Sequence, residues 1–525
     1  MDAGVPAAER HYNPWLISIA VMLGTVMVVL DTTVVNVSLP HIAGTLNASI
    51  EEATWALTTY LAANAVILPI TGWMANYFGR KRLLLIAIVG FTSASVLCGM
   101  APNLPLLILF RVVQGATGGV MQPLSQAIML EAFPPKDRGE AMAFFGVGVV
   151  VAPILGPVLG GWLTDNLSWR WVFYINIPVG ALAFLMVWHY VWDPHYIRRG
   201  TAGIDYWGLG LLAVGVGALQ IGLDQGQRED WFSSQWIAAL IVTAAIGLTL
   251  FVIHALRTRD PVVNLRVFRD RTYSAGVLLI SLQSFGLFGS LILMPIMLQT
   301  LMGYPSLQAG IAMAPRGLGS LLMTPLVGLA LGKTRIDPRK MLALGLIVNA
   351  WSLYWLSLLN LNAGYWDIFW PQLVQGAGMS LLFTPLATVS MDRIPREAMG
   401  NATSLFNLLR NIGGSVGIAV IQTILARDRQ VHTNALIAHV NPYDGSAQQM
   451  FQNLRSAFVS RGDDVVTATN RAYAAMWGMV QQQAAIQAFL DTFVLLALVF
   501  LVMAPLVVLL KKPQHHDEPA VAAAE

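Results

Sequence analysis

Four charged residues stand inside stretches that are otherwise apolar: Asp31, Arg111, Arg316 and Arg410. A charge at bilayer depth is costly unless it is paired or faces water, so such residues default to functional hypotheses. Asp31 lies about six residues before the end of one apolar run, and Arg111 about six residues after the start of another. If the two runs cross a membrane in opposite directions, at ~1.5 Å per residue both sit roughly 9 Å below the same surface. Equal depth permits pairing. A carboxylate whose charge is favoured by a guanidinium and disfavoured by burial can exchange a proton as access alternates. The same two residues can also form a permanent structural ion pair. Asp31 is therefore the candidate proton-coupling site and Arg111 its partner. Arg316, in Ala314-Pro315-Arg316-Gly317, lies about ten residues into its run with no acidic partner in sequence. Either it binds an anionic head group, such as a fatty-acid carboxylate, or it rests on carbonyls freed by Pro315. Arg410 is similar, with Asn407 and Asn411 near enough in sequence to hydrogen-bond it.

Uncharged polar residues within the same runs are candidates for lining a substrate cavity: Asn36, Asn64, Gln114, Gln122, Gln126, Gln283, Gln299 and Gln375, together with Arg316 and Arg410. Met121, Met294, Met297, Phe285 and Phe288 offer soft apolar walls of the kind that suit promiscuous binding. Each of these side chains taken singly is also compatible with plain packing.

The elements that must position them are membrane helices. The chain has 525 residues, of which 56% are hydrophobic and 11% charged, with a mean hydropathy of +0.62. A soluble domain carries roughly 25% charged residues, so lipid is the expected solvent. A spanning helix needs about 20 mainly apolar residues. About fourteen such runs are present, at approximately 15–37, 52–74, 83–100, 105–130, 140–163, 170–192, 206–223, 236–256, 273–298, 307–331, 341–360, 367–390, 400–425 and 487–510. The ten-residue alternating segments of a membrane barrel are absent. The start, Met1 to Pro14, lacks the charged-then-apolar pattern of a cleaved signal, so the first run is expected to be a retained helix.

With the N-terminus in the cytoplasm, alternate connections collect most of the 31 Lys and Arg residues, among them Arg80, Lys81, Arg82, Lys136, Arg138, Arg339 and Lys340. The short connections on the other side hold only Arg170 and Arg228. This asymmetry predicts an even number of spans with both termini cytoplasmic. An internal repeat is also visible. Arg111-Val-Val-Gln114-Gly115-Ala116 is echoed by Gln372-Leu-Val-Gln375-Gly376-Ala377, and Gly79-Arg80-Lys81-Arg82 by Asp337-Pro338-Arg339-Lys340. Both echoes are eight runs apart, which fits two six-helix halves (15–192 and 273–510) separated by two inserted helices (206–256). Duplicated halves around a midplane site are a recurring transporter plan. Residues 1–14 and 511–525 are then cytoplasmic ends, and 426–486 a long outer loop that either folds as short amphipathic helices or stays mobile.

Four segments in order now carry a resemblance. They are Leu30-Asp31-Thr32-Thr33-Val34-Val35-Asn36-Val37-Ser38-Leu39-Pro40; Gly72-Trp73-Met74-Ala75-Asn76-Tyr77-Phe78-Gly79-Arg80-Lys81; Arg111-Val-Val-Gln114-Gly115; and Gly148 followed by Gly156-Pro157-Val158-Leu159-Gly160-Gly161. Together they resemble the major facilitator superfamily, in particular its fourteen-helix drug:proton antiporter branch and the EmrB-type exporters. Asp230-Trp231-Phe232-Ser233-Ser234-Gln235 and Trp370-Pro371-Gln372 extend the likeness along the chain. The resemblance implies an all-α major facilitator fold of fourteen transmembrane helices in the bacterial inner membrane. It also implies export of hydrophobic or amphipathic drugs driven by the proton gradient without a cofactor, and a periplasmic adaptor (membrane fusion protein) with an outer-membrane channel as partners. Gly156, Pro157, Gly160 and Gly161 match what that family calls the antiporter motif. Glycines four apart also let helix backbones approach closely, and Pro157 can loosen the local ladder. Gly72, Gly79, Arg80 and Lys81 match a loop that latches the halves in one state of the cycle, besides serving as a topology signal. The sequence departs from that pattern at Asn76, where an Asp is usual, and at Tyr77, where a basic residue is common.

Other classes find little footing. No Gly-rich phosphate loop, HExxH or CxxC is present, no basic face is interleaved with aromatics as a nucleic-acid binder requires, and the one cysteine, Cys98, lies in an apolar run. A dedicated exporter of a fatty acid or metabolite is the alternative, with Arg316 its relevant residue; a membrane-embedded enzyme or receptor ranks below both.

Overall fold

The computed structural model describes residues 13–134, 137–193, 205–332, 336–438, 440 and 443–511, and among these no strand occurs. The first half comprises α1 (Pro14–Thr45), α2 (Ile50–Ile67), α3 (Thr71–Phe78), α4 (Arg80–Met100), α5 (Leu104–Ala132), α6 (Arg138–Asn166), α7 (Trp171–Tyr174) and α8 (Asn176–Tyr190). Then come α9 (Tyr206–Gln225) and α10 (Gln235–Arg257). The second half is α11 (Arg271–Thr300), α12 (Ser306–Gly332), α13 (Pro338–Leu356), α14 (Tyr365–Met391), α15 (Met399–Ile437), α16 (Gly445–Ser460) and α17 (Val465–Met503). Starts are written in the sequence. Asn13, Asn103, Asp270 and Asp337 each cap the first turn with a side-chain oxygen, and Ser49 with Glu52 forms a capping box.

Each of the fourteen apolar runs falls on a helix or on a pair of helices end to end. Among the described residues, 12 helices are long and apolar enough to cross a membrane, or 13 if α6, bent by 40° between Pro153 and Val158, counts as one. The remaining run, in α13, falls short because the helix opens on Pro338-Arg339-Lys340 and carries Asn349. Helix ends lie beyond the apolar limits. The 39 residues of α15 and of α17 extend about 58 Å each at ~1.5 Å per residue, twice the ~30 Å of a hydrocarbon core. Most of segment 426–486 is therefore helix: the end of α15, then α16, then the start of α17, on which α16 packs. Backbone hydrogen bonding continues where apolar content stops, so hydropathy alone underestimates such helices.

The halves share one contact plan. In the first, α5 packs on α1, α2 and α4, and α6 on α1; in the second, α14 packs on α11, α12 and α13, and α15 on α11. Thus α1, α2, α4, α5, α6 and α8 correspond to α11, α12, α13, α14, α15 and α17. The start of α1 and the residues that follow α17 lie on one face, here termed the terminal face. Trp15 meets Phe133 edge-on at 5.2 Å at the close of α5, and Arg339 at the start of α13 donates to the Leu510 carbonyl at 3.3 Å.

Two seams join the halves. At one, α6 packs directly on α12. At the other, α3 meets α15 near the terminal face, where a Cβ on Gly72 would come within 2.7 Å of the Asn401 backbone. Toward the far face α9 occupies this second seam, bonding α2 and α15. Thr58 on α2 donates to Asp224, and Gln220 donates to Ser415 on α15 at 2.9 Å. Just beyond α9, Trp231 Nε1 donates to Thr423 on α15 at 2.9 Å. At its other end, α9 is capped by Asp205, which pairs with His254 of α10 at 2.8 Å. Burial lifts the Asp205 carboxyl, but hydrogen bonds from the Gly208 N–H and from His254 outweigh it and hold the group below its ordinary range.

Neighbouring glycines of α6 differ sharply. A Cβ on Gly160 would lie 2.9 Å from the Val34 carbonyl of α1, whereas one on Gly161 would meet nothing within 4 Å. Gly160→Val should force the two helices apart and cost about 1–3 kcal/mol, as overpacking does. Gly161→Val should leave the thermal midpoint of the purified protein unchanged. Equal midpoints for the two variants would refute close α1–α6 packing.

Candidate functional site

The densest polar cluster lies inside the first half, where α1, α2, α5 and α8 converge. Arg111 Nη1 donates to Asp31 Oδ2 at 2.5 Å, with both side chains at 0% exposure. Asp31 Oδ1 accepts two further bonds, from Gln114 Nε2 at 2.8 Å and Asn176 Nδ2 at 3.1 Å. The guanidinium is held independently of the carboxylate. Its Nε donates to the Ala56 carbonyl at 3.0 Å, its Nη1 also reaches Gln114 Oε1 at 2.9 Å, and it lies 4.1 Å over the Tyr60 ring. Gly115 makes this convergence possible, since a Cβ there would sit 2.3 Å from the Tyr60 carbonyl oxygen. Asn176 enters from the first residue of α8 and also donates to Ser95 at 2.9 Å. A desolvated ion pair of this kind needs its remaining valences filled; of the pair's own polar atoms Arg111 Nη2 lacks a partner, as does the Tyr60 hydroxyl beside it.

A second cluster joins the halves. Asn407 of α15 donates to Gln126 of α5 at 2.6 Å. One turn toward the far face, Gln122 and Arg410 each keep a buried nitrogen without a partner, Nε2 and Nε. Arg410 lies 5.9 Å from the Phe383 ring, which itself stacks on Phe145 of α6 at 6.3 Å across the halves. This seam thus presents amide groups, a cation and aromatic faces together.

A third cluster lies inside the second half. Arg316 of α12, 1% exposed, donates through Nε to Gln372 Oε1 of α14 at 2.8 Å, and Gln375 donates to Ser290 of α11 at 3.3 Å. The remaining cavity candidates do not gather with these. Asn36 is exposed on α1, Asn64 is buried on α2, and Met294 is fully buried in the core. Gln283 faces a narrow gap beside Leu342, Leu382 and Met503 within the second half. Gln114 belongs to the ion-pair network rather than to a cavity wall.

At the terminal face, Gly79 adopts φ +87°, a left-handed conformation that favours glycine, and so reverses the chain between α3 and α4. Arg80 is buried and forms an ion pair with Glu131 at the end of α5. Lys81 Nζ caps the Trp188 carbonyl at 2.5 Å. Asn76 is exposed, and the close contact between the halves beside this loop is Gly72 against Asn401. Gly156 packs on Thr33 of α1; the Pro157 side chain lies outside what the structure describes. Tyr60, Asn176, Glu131, Gln372 and Ser290 escaped the sequence reading as site residues. For Asn176 and Glu131 a signal was available, a lone polar group at the edge of an apolar run; for Tyr60 none was.

Comparison with known proteins follows this geometry. Among solved structures, the human organic anion transporter MFSD10 (TETRAN) aligns with a TM-score of 0.60 at 14% identity, covering 94% of this chain and 100% of that one. The proton:xylose symporter XylE aligns with a TM-score of 0.54 at 16% identity, covering 95% and 99%. These likenesses concern the fold. In sequence, the chain is 41% identical to the multidrug export protein EmrB of Haemophilus influenzae over 84% of its length and 86% of that protein. It is 36% identical to the fatty acid resistance protein FarB of Neisseria gonorrhoeae over 95% and 96%, and 37% identical to EmrB of Escherichia coli K12 over 84% and 85%. Residues 21–418 match the Major Facilitator Superfamily, and the chain, a multi-pass helical membrane protein, belongs to that family.

Proposed function

We propose that this protein exports hydrophobic and amphipathic compounds, drugs among them, in exchange for protons, with Asp31 as the proton-carrying group. The observation that carries the reading is the occluded Asp31–Arg111 pair, a carboxylate reachable from neither face in this state. Arg111 keeps the Ala56 carbonyl, Gln114 Oε1 and the Tyr60 ring when Asp31 takes up a proton, so the cation loses its counter-charge but not its other partners. Protonated Asp31 releases Arg111, and the first half can change its helix packing; deprotonation on the other side restores the pair. The apolar body of the substrate binds at the seam of Gln122, Gln126, Asn407, Arg410 and Phe383, where either rocking motion exposes it. The distribution of Lys and Arg supports a terminal face in the cytoplasm, and export across a bacterial inner membrane then runs toward the far face. The multidrug export names of relatives at 37–41% identity support the direction and the substrate class.

The extended ends of α15 and α17 with α16 form the platform on which a periplasmic adaptor, leading to an outer-membrane channel, would dock. Photo-crosslinkers at exposed Tyr443 and Tyr473 should capture such an adaptor in cells, and removal of 445–460 should abolish capture. Capture unaffected by the deletion would rule the platform out.

Dye movement in inverted vesicles energised by a pH gradient tests the coupling. Asp31→Asn should lose gradient-driven movement. It also leaves Arg111 buried without its counter-charge, a change that costs about 3–5 kcal/mol when a buried pair is broken. The double variant Asp31→Asn/Arg111→Gln should regain thermal stability while staying uncoupled. Undiminished gradient-driven movement in Asp31→Asn would make the pair structural.

A further inference from the structure

The second half repeats the scaffold of the Asp31 network but not its charges. Gly115 lies against the carbonyl oxygen of Tyr60, and Gly376 against that of Arg316, so Arg316 stands where Tyr60 stands in the first half. Gln114 donates to Asp31, and Gln375 to Ser290, so Ser290 takes the place of the carboxylate. Gln372 takes that of Arg111 in the repeated sequence. The first half thus holds a cation and an anion at these positions, whereas the second holds a cation alone. No acidic residue occurs anywhere in α11, α12 or α13, and in α14 the single Asp367 is in the first turn, at the rim.

The surroundings of Arg316 leave most of its donors without acceptors. A guanidinium keeps its proton in proteins, and at bilayer depth an uncompensated one is costly. Its Nε is engaged by Gln372 Oε1. Nη1 and Nη2 are buried with no partner among the described residues, and so is Gln372 Nε2. Three nitrogen donors, on two adjacent helices joined by that Nε–Oε1 bond, are thus left without acceptors. The free edge of the guanidinium is a planar fork that matches the two oxygens of a carboxylate.

We propose that the anion missing from the second half arrives with the cargo: Arg316 and Gln372 bind the carboxylate of an amphipathic monoanion. The proposal deepens the export reading, on which the status of that anion as cargo rests. It makes the two halves division-of-labour copies, with an internal carboxylate for the proton and an external one for substrate. Monoanionic amphiphiles are then favoured over cationic ones of equal size.

The test is binding to the purified full-length protein in detergent, by calorimetry, with decanoate, decyltrimethylammonium and chloride as probes. Decanoate should bind the unaltered protein at least ten-fold more tightly than Arg316→Gln. Ser290→Asp, which supplies an internal counter-charge, should lose decanoate equally while remaining folded, so that misfolding of one variant does not decide the matter. Decyltrimethylammonium should not distinguish the unaltered protein from Arg316→Gln. A decanoate affinity that falls as chloride rises places both anions on the fork and supports the site. Chloride binding without decanoate binding, or equal decanoate affinity in all three proteins, overturns it. No gradient is present in this measurement, so a protein that moves no dye in vesicles can still show these heats, and failure of the export reading is told apart from failure of the site.

Discussion

Charge without water governs this molecule. In a soluble protein a guanidinium can reach solvent; inside a bilayer it must find carbonyls, amides, rings or a carboxylate within its own bundle. Arg111 has all four kinds, and to gather them α1, α2 and α5 must meet at one depth. That requirement explains why Gly115 presses on the Tyr60 backbone and why Asn176 sits at the break between α7 and α8. Arg80 meets the same need at the terminal face by pairing with Glu131 of α5. Helix packing in the first half is set by where two arginines can be neutralised.

Much of this is written in the sequence, though unevenly. Apolar length announces a spanning helix, because lipid selects for it, and every apolar run lies on a helix. Depth is equally readable: Asp31 and Arg111 stand equally far from the ends of their runs, and they are in contact. Azimuth is not readable, since whether a residue faces lipid or its neighbours depends on partners hundreds of positions away. Asn36 therefore turns out exposed, Gln283 faces away from the other polar clusters, and Gln114 joins the ion pair. Tyr60 gave no sign of its place over a guanidinium, because a tyrosine in an apolar run is ordinary. Helix ends were missed for a different reason: α15 and α17 continue into water on backbone hydrogen bonds that hydropathy does not register.

The repeat was faint in sequence and is plain in contacts. A shared Gln-Gly pair in α5 and α14 preserves one backbone approach, glycine against the carbonyl of the neighbouring helix, while every charged position around it has diverged. Packing is the conserved quantity between the halves and electrostatics the variable one. Small residues at a contact leave few alternatives, whereas the side chains beyond them are free to exchange roles.

The repeat is broken once, by α9. Its partner seam is bare helix on helix, but here a third helix is wedged in, bonded through Thr58 to one half and Ser415 to the other. The same helix belongs to the covalent span that carries the chain from one half to the next. Tether and wedge are one object, so the molecule has a built-in handedness of motion. The seam of α6 and α12 holds no such third helix, whereas the halves cannot part at the opposite seam without unseating a keystone to which each remains tied.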